Sequence, residues 1–316
     1  MDGMSQLSLV AAPSLGWDVA MQRTVKAPIG CVGVGLHTGL PVVVTLRPAT
    51  AGTGILFHRT DLGITIPALY SNVTDTRLCT VVAHPDHAEA RVGTIEHLMA
   101  ALSACGVSNV VIDVDGPELP VLDGSAAPWL FLLDCAGLMS LDAPARVIEV
   151  LRTVRVEQGD AFAELRPGAA ALDLAVSIAF QAAAIGRQAL MLTLSEESFR
   201  TGLADARTFT LSQEIEGLRA SGLARGGSLD NAVVVDGARV LNPAGLRHPD
   251  EFVRHKMLDA VGDLALAGGT LQGQFVGRRS GHALNNLVLH ALFADRANWR
   301  DAAPAFAAPD RISVAA

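Results

Sequence analysis

The feature that most limits what this chain can fold into is the order of its apolar patterns, which runs twice from short strand-like segments to a helix. From Gln22 to about Leu141, β-rich segments such as Val42-Val43-Val44-Thr45-Leu46 and Gly54-Ile55-Leu56-Phe57 precede an Ala-rich apolar run that starts at Glu96. A strand over 109–114 and a helix over 126–137 follow, with the Gly and Pro residues of Asp115-Gly116-Pro117-Glu118-Leu119-Pro120 marking the turn between them. From about Arg146 the order recurs: strands over 147–156, 161–165 and 172–180, a helix carrying His255, a Gly-rich strand region, and a helix over 285–293. No residue-level repeat accompanies this recurrence. Strands followed by helices, rather than strict alternation, predict an α+β fold of two similar layered halves. The 316 residues allow two domains of ordinary size. The expected division is a poorly ordered N-terminal extension over 1–21, α+β domains over 22–143 and 144–302, and a tail over 303–316.

Charge and composition exclude several partners. A formal net charge of -8, with no basic stripe to neutralise phosphates, argues against nucleic acid. Half of the residues are hydrophobic, yet Asp, Arg or Glu interrupts every long apolar stretch. No run of about 18 apolar residues occurs, so no stable membrane insertion is expected. The first twenty residues lack the basic start of a secretory signal, Asp2 being the only charge before Asp18. Cys31, Cys79, Cys105 and Cys135 form no CxxC pair and read as free thiols, which points to a reducing cytoplasm.

Three segments carry chemistry. In Arg254-His255-Lys256-Met257-Leu258-Asp259-Ala260-Val261-Gly262-Asp263, His255 and Asp259 lie one helical turn apart and Asp263 extends the same face by another turn. Alone, His-x-x-x-Asp is common and more often marks an ordinary surface helix than a metal site. In Gly93-Thr94-Ile95-Glu96-His97, Thr94 reads as a helix cap, while the adjacent Glu96 and His97 can flank one ion, His97 binding it and Glu96 reaching the water upon it. The third segment, Arg278-Arg279-Ser280-Gly281-His282-Ala283, is a polar turn leading into an apolar run. Together they supply two His and one Asp as ligands, with a Glu and a His to spare. That inventory suits a catalytic zinc with an open fourth position, although His₂Asp also accepts iron(II). Such an ion brings the pKa of its water to about 7. Glu96 would accept the water's proton, and His282, with Asp263 holding its imidazolium form, would protonate a leaving amine. The predicted reaction is hydrolysis of an amide or ester. His-Glu-x-x-His is absent, and the inverted pattern fails because Gly93 stands where its first His belongs.

Further blocks extend the pattern: Gly33-Val34-Gly35-Leu36-His37-Thr38-Gly39, Leu122-Asp123-Gly124-Ser125-Ala126-Ala127-Pro128, Ala206-Arg207-Thr208-Phe209 and Glu251-Phe252-Val253-Arg254-His255-Lys256. With them the chain, from about Gln22 to Arg296, resembles the bacterial UDP-3-O-acyl-N-acetylglucosamine deacetylases, zinc amidases of the committed step of lipid A synthesis. The resemblance implies zinc ligands at His97, His255 and Asp259, a general base at Glu96, a general acid at His282 with Asp263 as its partner, and an oxyanion-binding hydroxyl at Thr208. It also implies that Lys256, about 100° around the helix from His255, contacts diphosphate and sugar. Arg279 would lie near the nucleotide, with neighbouring Gly281 at the substrate, and Phe180 beside uracil. Phe209, Ile215 and Leu36 would line a passage for the 3-O-acyl chain. The implied fold sets two mainly antiparallel sheets with helices face to face, the site between them, as a monomer. Each domain carries an insert, the second, near 208–235, forming the acyl passage.

Departures from the family pattern concern substrate contacts. Ala179 stands where an acidic residue often precedes the uracil-side aromatic residue. Leu151 stands where a sugar-contacting Lys is frequent, with Arg152 on the opposite strand face, and Arg77 fills a slot near the metal that is apolar in some relatives. Ala179 and Leu151 leave room for the same mechanism on another N-acylated sugar; a second alternative, a non-catalytic binder of acyl sugar nucleotides, would require a broken catalytic constellation, and here every member is present. Asn285 and Asn286 read as satisfying backbone groups at a helix start, and His84 and His87 as part of a Pro-containing turn. His37 is balanced between pinning its loop and facing substrate, while His248 and His290 carry no functional argument.

Overall fold

The computed structural model describes residues 21–302, an α+β arrangement of several mainly antiparallel sheets with six α-helices. The extension and tail expected at the chain ends lie outside the described residues, except Met21, which opens a strand, Met21–Val25, paired with Leu138–Pro144. The helices are α1 (Glu96–Ala104), α2 (Ala127–Ala136), α3 (Glu196–Gly202), α4 (Ser212–Ala220), α5 (Glu251–Ala265) and α6 (His282–Phe293).

Each large sheet is built from one half of the chain. A five-stranded sheet runs in the order Ile29–Val34, Pro41–Pro48, Val110–Val114, Ile55–Arg59, Ile64–Pro67, with only the Ile55–Arg59 and Val110–Val114 pair parallel. In the seven-stranded sheet, Thr270–Arg278 is central and pairs with Ala161–Arg166, Val147–Val150 and Leu172–Ala179. Alternation explains the register: Leu172, Leu174, Val176 and Ile178 are buried while their neighbours are half-exposed. The strand expected over 147–156 is two strands, Val147–Val150 and Val154–Gln158, because the Leu151 and Arg152 amides turn away to donate to the Asn298 carbonyl.

The element that positions the site is the contact between α1 and α5. Every residue of α1 from Glu96 to Leu102 is buried, and α5 buries twelve of its fifteen residues. Two helices buried on nearly every side lie in the core rather than at the surface, and α5 carries the polar residues His255, Asp259 and Asp263 into it. Gly262 lets them meet, since a Cβ there would fall on the Glu96 carbonyl oxygen. This close approach sets the first turn of α1 beside the middle of α5. Two three-stranded sheets complete the arrangement, one of Val73–Asp75, Val81–His84 and His87–Val92, the other of Phe209–Leu211, Val233–Asp236 and Arg239–Val240.

Candidate active site

A cavity of about 430 Å³ opens where α1, α5 and the start of α6 converge, lined by Glu96, His97, Thr208, His255, Asp259 and His282. His97, His255 and Asp259 each present one ligand atom, all three within 4.8 Å of one another and all three residues buried. His255 Nδ1 lies 3.0 Å from the Ala206 carbonyl oxygen, which requires the proton on Nδ1 and leaves a lone pair on Nε2. That Nε2 faces Asp259 Oδ1 at 3.3 Å, and His97 Nε2 faces the same oxygen at 3.7 Å. Asp259 Oδ1 is buried and accepts no hydrogen bond. Lone pairs converging on an unsatisfied buried carboxylate oxygen are costly without a cation among them. The donor set, two imidazoles and one carboxylate, therefore fits a divalent transition ion.

The electrostatics agree with the geometry. Burial, reinforced by the neighbouring His97 and Lys256, pushes the His255 imidazolium down to about 4, which keeps the ring neutral as a ligand must be. For Asp259, burial alone would favour the neutral acid, but His255, Lys256 and His97 outweigh it and hold the carboxyl well below the usual range. Lys256 reaches forward along α5 to donate to Asp259 Oδ2 at 2.7 Å, so its ammonium sits over the site despite its position one residue from His255. Burial would lower its pKa, and Asp259 more than compensates.

On either side of the three ligands stand the proton-handling candidates. Glu96 is fully enclosed, and this burial raises its pKa against the lowering influence of His282 and His97. Its Oε2 accepts a hydrogen bond from the Thr80 amide at 3.0 Å. His282 opens α6, with Nδ1 2.9 Å from Asp263 Oδ2. Burial by itself depresses an imidazolium, but Asp263, Glu96 and Asp259 outweigh it and bring His282 up to about 9. Asp263 accepts two further bonds, from Thr80 Oγ1 at 2.5 Å and from Asn285 Nδ2 at 2.9 Å. Thr80 thus joins Glu96 to Asp263.

The remaining expected residues divide between those at the cavity and one away from it. Thr208 is held there by its amide bond to the Gly124 carbonyl at 2.8 Å and by the Val233 amide on its own carbonyl. Gly124 has a φ of 83°, and a Cβ there would fall on the Asn231 carbonyl, so only glycine serves. Phe209 and Phe180 pack edge to face at 5.5 Å, and both line the cavity, as do Leu36, Arg279 and Gly281. Ile215, half-buried on α4, lines neither this cavity nor the one beside it. A second cavity of about 770 Å³ shares His37, Arg77, Leu78 and Cys79 with the first. It is walled by Val81, Ala83 and Pro85 opposite Leu218 and Leu223, so most of its lining comes from the 74–93 region rather than from 208–235. His37 lies where the two cavities meet, both ring nitrogens buried and without a hydrogen-bond partner.

Two local expectations give way. Thr94 does not cap α1; its φ is 55°, and its hydroxyl instead donates to Glu118 Oε1 at 3.0 Å. Asn285 serves the Asp263 carboxylate rather than a backbone group, whereas Asn286 does donate to a carbonyl, that of Tyr70. His84 and His87 sit at a hairpin turn, with His84 Nδ1 accepting from the Asp86 amide. Thr80, Glu118 and Glu251 were not singled out by sequence reasoning. Glu251, wholly buried, accepts from the Arg207 amide and guanidinium and from the Arg247 amide, and so anchors the segment leading to Thr208 against the start of α5. No spacing along the chain signals these partnerships.

A model of the UDP-3-O-acyl N-acetylglycosamine deacetylase family matches residues 22–294. The chain belongs to this family. A UDP-3-O-acyl-N-acetylglucosamine deacetylase of Phenylobacterium zucineum (strain HLK1) is 52% identical over 282 residues, covering 88% of this chain and 95% of the relative. One from Actinobacillus pleuropneumoniae serotype 3 (strain JL03) is 45% identical over 282 residues, covering 88% and 92%. Among the described residues no helix is long and apolar enough to cross a membrane.

Proposed function

We propose that the chain hydrolyses the N-acetyl group of UDP-3-O-acyl-N-acetylglucosamine, giving UDP-3-O-acyl-glucosamine and acetate within lipid A synthesis, as a zinc-dependent enzyme. The observation that carries this reading is the convergence of His97, His255 and Asp259 with Glu96 and the His282–Asp263 pair around one cavity in a member of this family. His97, His255 and Asp259 would hold the zinc, or alternatively iron(II), and the ion would acidify a water and polarise the amide carbonyl.

The protein's own groups then divide the proton work. Glu96, a carboxylate whose proton affinity is raised by burial, takes a proton from the attacking water. The Thr208 hydroxyl donates to the oxyanion that forms as the amide carbon becomes tetrahedral. His282 gives its proton to the departing amine nitrogen, and Asp263 stabilises the imidazolium until it does so. The C–N bond breaks, acetate leaves, and the amine departs neutral. Lys256 and Arg279 offer positive charge to the diphosphate, Phe180 a face to uracil, and the second cavity an apolar site of adequate size for an acyl chain. We further propose the division into domains over 22–143 and 144–302, a monomeric state, and a cytoplasmic setting, which suits four free cysteines.

The test is acetate release from UDP-3-O-acyl-N-acetylglucosamine, before and after chelation and again with zinc restored. Release lost on chelation and regained with zinc supports the reading. A folded, zinc-loaded protein that releases none would redirect the assignment to another N-acylated sugar, with Ala179 and Leu151 as the first residues to exchange.

A further inference from the structure

Glu118 is 4% exposed, lies outside the proton-handling and ligand groups, and gathers three hydrogen bonds. Its Oε1 accepts from the His37 amide at 2.8 Å and the Thr94 hydroxyl at 3.0 Å, and its Oε2 accepts from the Thr38 amide at 2.8 Å. The backbone on either side of Glu118 is bonded to Gly93, through Gly93 N to the Pro117 carbonyl at 2.9 Å and Leu119 N to the Gly93 carbonyl at 3.0 Å. Thr94 itself is held at a φ of 55°, a left-handed conformation that a β-branched residue adopts only when its surroundings impose it. Two residues later the chain presents Glu96 and His97 from the first turn of α1.

We propose that Glu118 is a positioning residue for the hydrolytic centre: its carboxylate fixes the left-handed turn at Thr94 that aims Glu96 and His97, and in the same grip seats the Gly35–Gly39 turn that carries His37. Without the clamp, Thr94 relaxes toward ordinary negative φ, and the first turn of α1 rotates relative to α5, which supplies the other two ligands. The effect on His97 is a matter of metal geometry and stands independently of substrate; the effect on Glu96 rests on the deacetylase reading.

Glu118→Gln puts an amide NH₂ against the Thr38 or the His37 and Thr94 donors, whichever way the side chain turns, and so breaks the clamp at constant size. Thr94→Val removes the hydroxyl at constant shape, and Thr94→Ser retains it. Gly35→Ala attacks the same carboxylate from outside, because a Cβ on Gly35 would collide with Glu118 Oε2 and Thr38 Oγ1. Zinc affinity is read by competition with a chromophoric chelator, kcat and KM by acetate release, and folding by thermal melting.

Glu118→Gln and Thr94→Val are each expected to weaken zinc binding about tenfold or more, as loss of a group that orients a ligand does, and to lower kcat with little change in KM. The double variant is expected to be no worse than either single one, and Thr94→Ser to restore both readouts. Melting temperatures that fall while zinc affinity and kcat stay at wild-type values would reduce Glu118 to a purely structural role and overturn the proposal. Thr94→Ser behaving like Thr94→Val would do the same. If Glu118→Gln does not fold, the Thr94 pair and Gly35→Ala decide the matter. If no variant, including the wild type, releases acetate, the zinc titrations still test the positioning of His97 while the substrate assignment alone fails.

Discussion

Replacing Asp263 by Asn removes one negative charge from the centre of the site at nearly constant volume, and the structure fixes how much should be lost. Asp263 is buried and holds His282 Nδ1 at 2.9 Å, with Thr80 and Asn285 satisfying its remaining capacity. Burial opposes the imidazolium, yet His282 is brought from the ordinary 6.5 up to about 9, with Asp263 the foremost of the carboxylates responsible. That displacement corresponds to about 3 kcal/mol in favour of the protonated ring. Without the Asp263 charge, burial is opposed only by Glu96 and Asp259, and His282 should titrate near or below its ordinary range. A cation held by His97, His255 and Asp259 lowers the value in both proteins, so the difference between them is the quantity to measure. In the proposed mechanism protonated His282 is the active form, so activity should be lost as pH rises through its pKa. In kcat/KM profiles of acetate release, the wild-type alkaline limb should lie at or below about 9. In Asp263→Asn it should move to lower pH by about two units, with a plateau reduced about a hundredfold. The same pair makes a linked contribution to stability, fully present below about pH 6.5 and lost as pH rises through about 9; the variant should lack it. An alkaline limb that stays in place in Asp263→Asn but shifts in His282→Ala would refute the assignment of Asp263 as the charge that sustains the acid.

Other perturbations test separate parts of the site. Glu96→Gln should lower turnover by about 10²–10⁴-fold while zinc content stays stoichiometric; unchanged turnover would eliminate Glu96 as the base. Gly262→Ala forces a methyl group onto the Glu96 carbonyl and should cost about 1–3 kcal/mol in a urea titration, together with weaker zinc binding; an unaltered midpoint would mean that α1 and α5 separate freely. Glu251→Leu strands the buried Arg207 guanidinium and should cost about 3–5 kcal/mol, while Arg207→Leu and Glu251→Leu combined should recover much of that loss, as a double-mutant cycle would reveal.

What the sequence makes legible here is what local periodicity encodes. His255, Asp259 and Asp263 share a face because a helix repeats every 3.6 residues, and the alternation of Leu172, Leu174, Val176 and Ile178 declares a strand with one face in the core. The polar partnerships are different in kind. Thr80 reaches Asp263 across 183 positions, and Glu118 reaches His37 and Thr38 across about 80, so nothing in their neighbourhood announces them. Thr94 illustrates the failure of a sound local rule: a threonine ahead of an apolar helix is a natural cap, but the distant Glu118 carboxylate competes for its hydroxyl and wins. The second cavity escapes for the same reason, since its walls are assembled from the 74–93 sheet and two leucines near α4, stretches with no shared pattern.

The backbone itself shows where assembling the site demanded more than local preference allows. Thr94, Leu122 and Arg279 are three of the four non-glycine residues with positive φ among the described residues. Each stands just ahead of a residue lining the candidate site or a group that holds one: Thr94 before Glu96 and His97, Leu122 before the Gly124 carbonyl that holds Thr208, and Arg279 before His282. Such conformations cost about 1–3 kcal/mol apiece and persist only where surrounding contacts over-determine them. Those contacts are present, in the Glu118 carboxylate on Thr94 and in the Arg279 amide bound to the Ser177 carbonyl at 2.7 Å. Both strained joints lead directly into a helix, α1 or α6, whose first turn must point inward at the same small volume beside α5. Ordinary turns would deliver these helices at angles set by their own packing; the left-handed residues decouple the aim of the first turn from the course of the helix. The packing of α1 on α5 offsets the strain, and for that reason the close approach at Gly262 bears on the site's geometry as much as on the protein's stability.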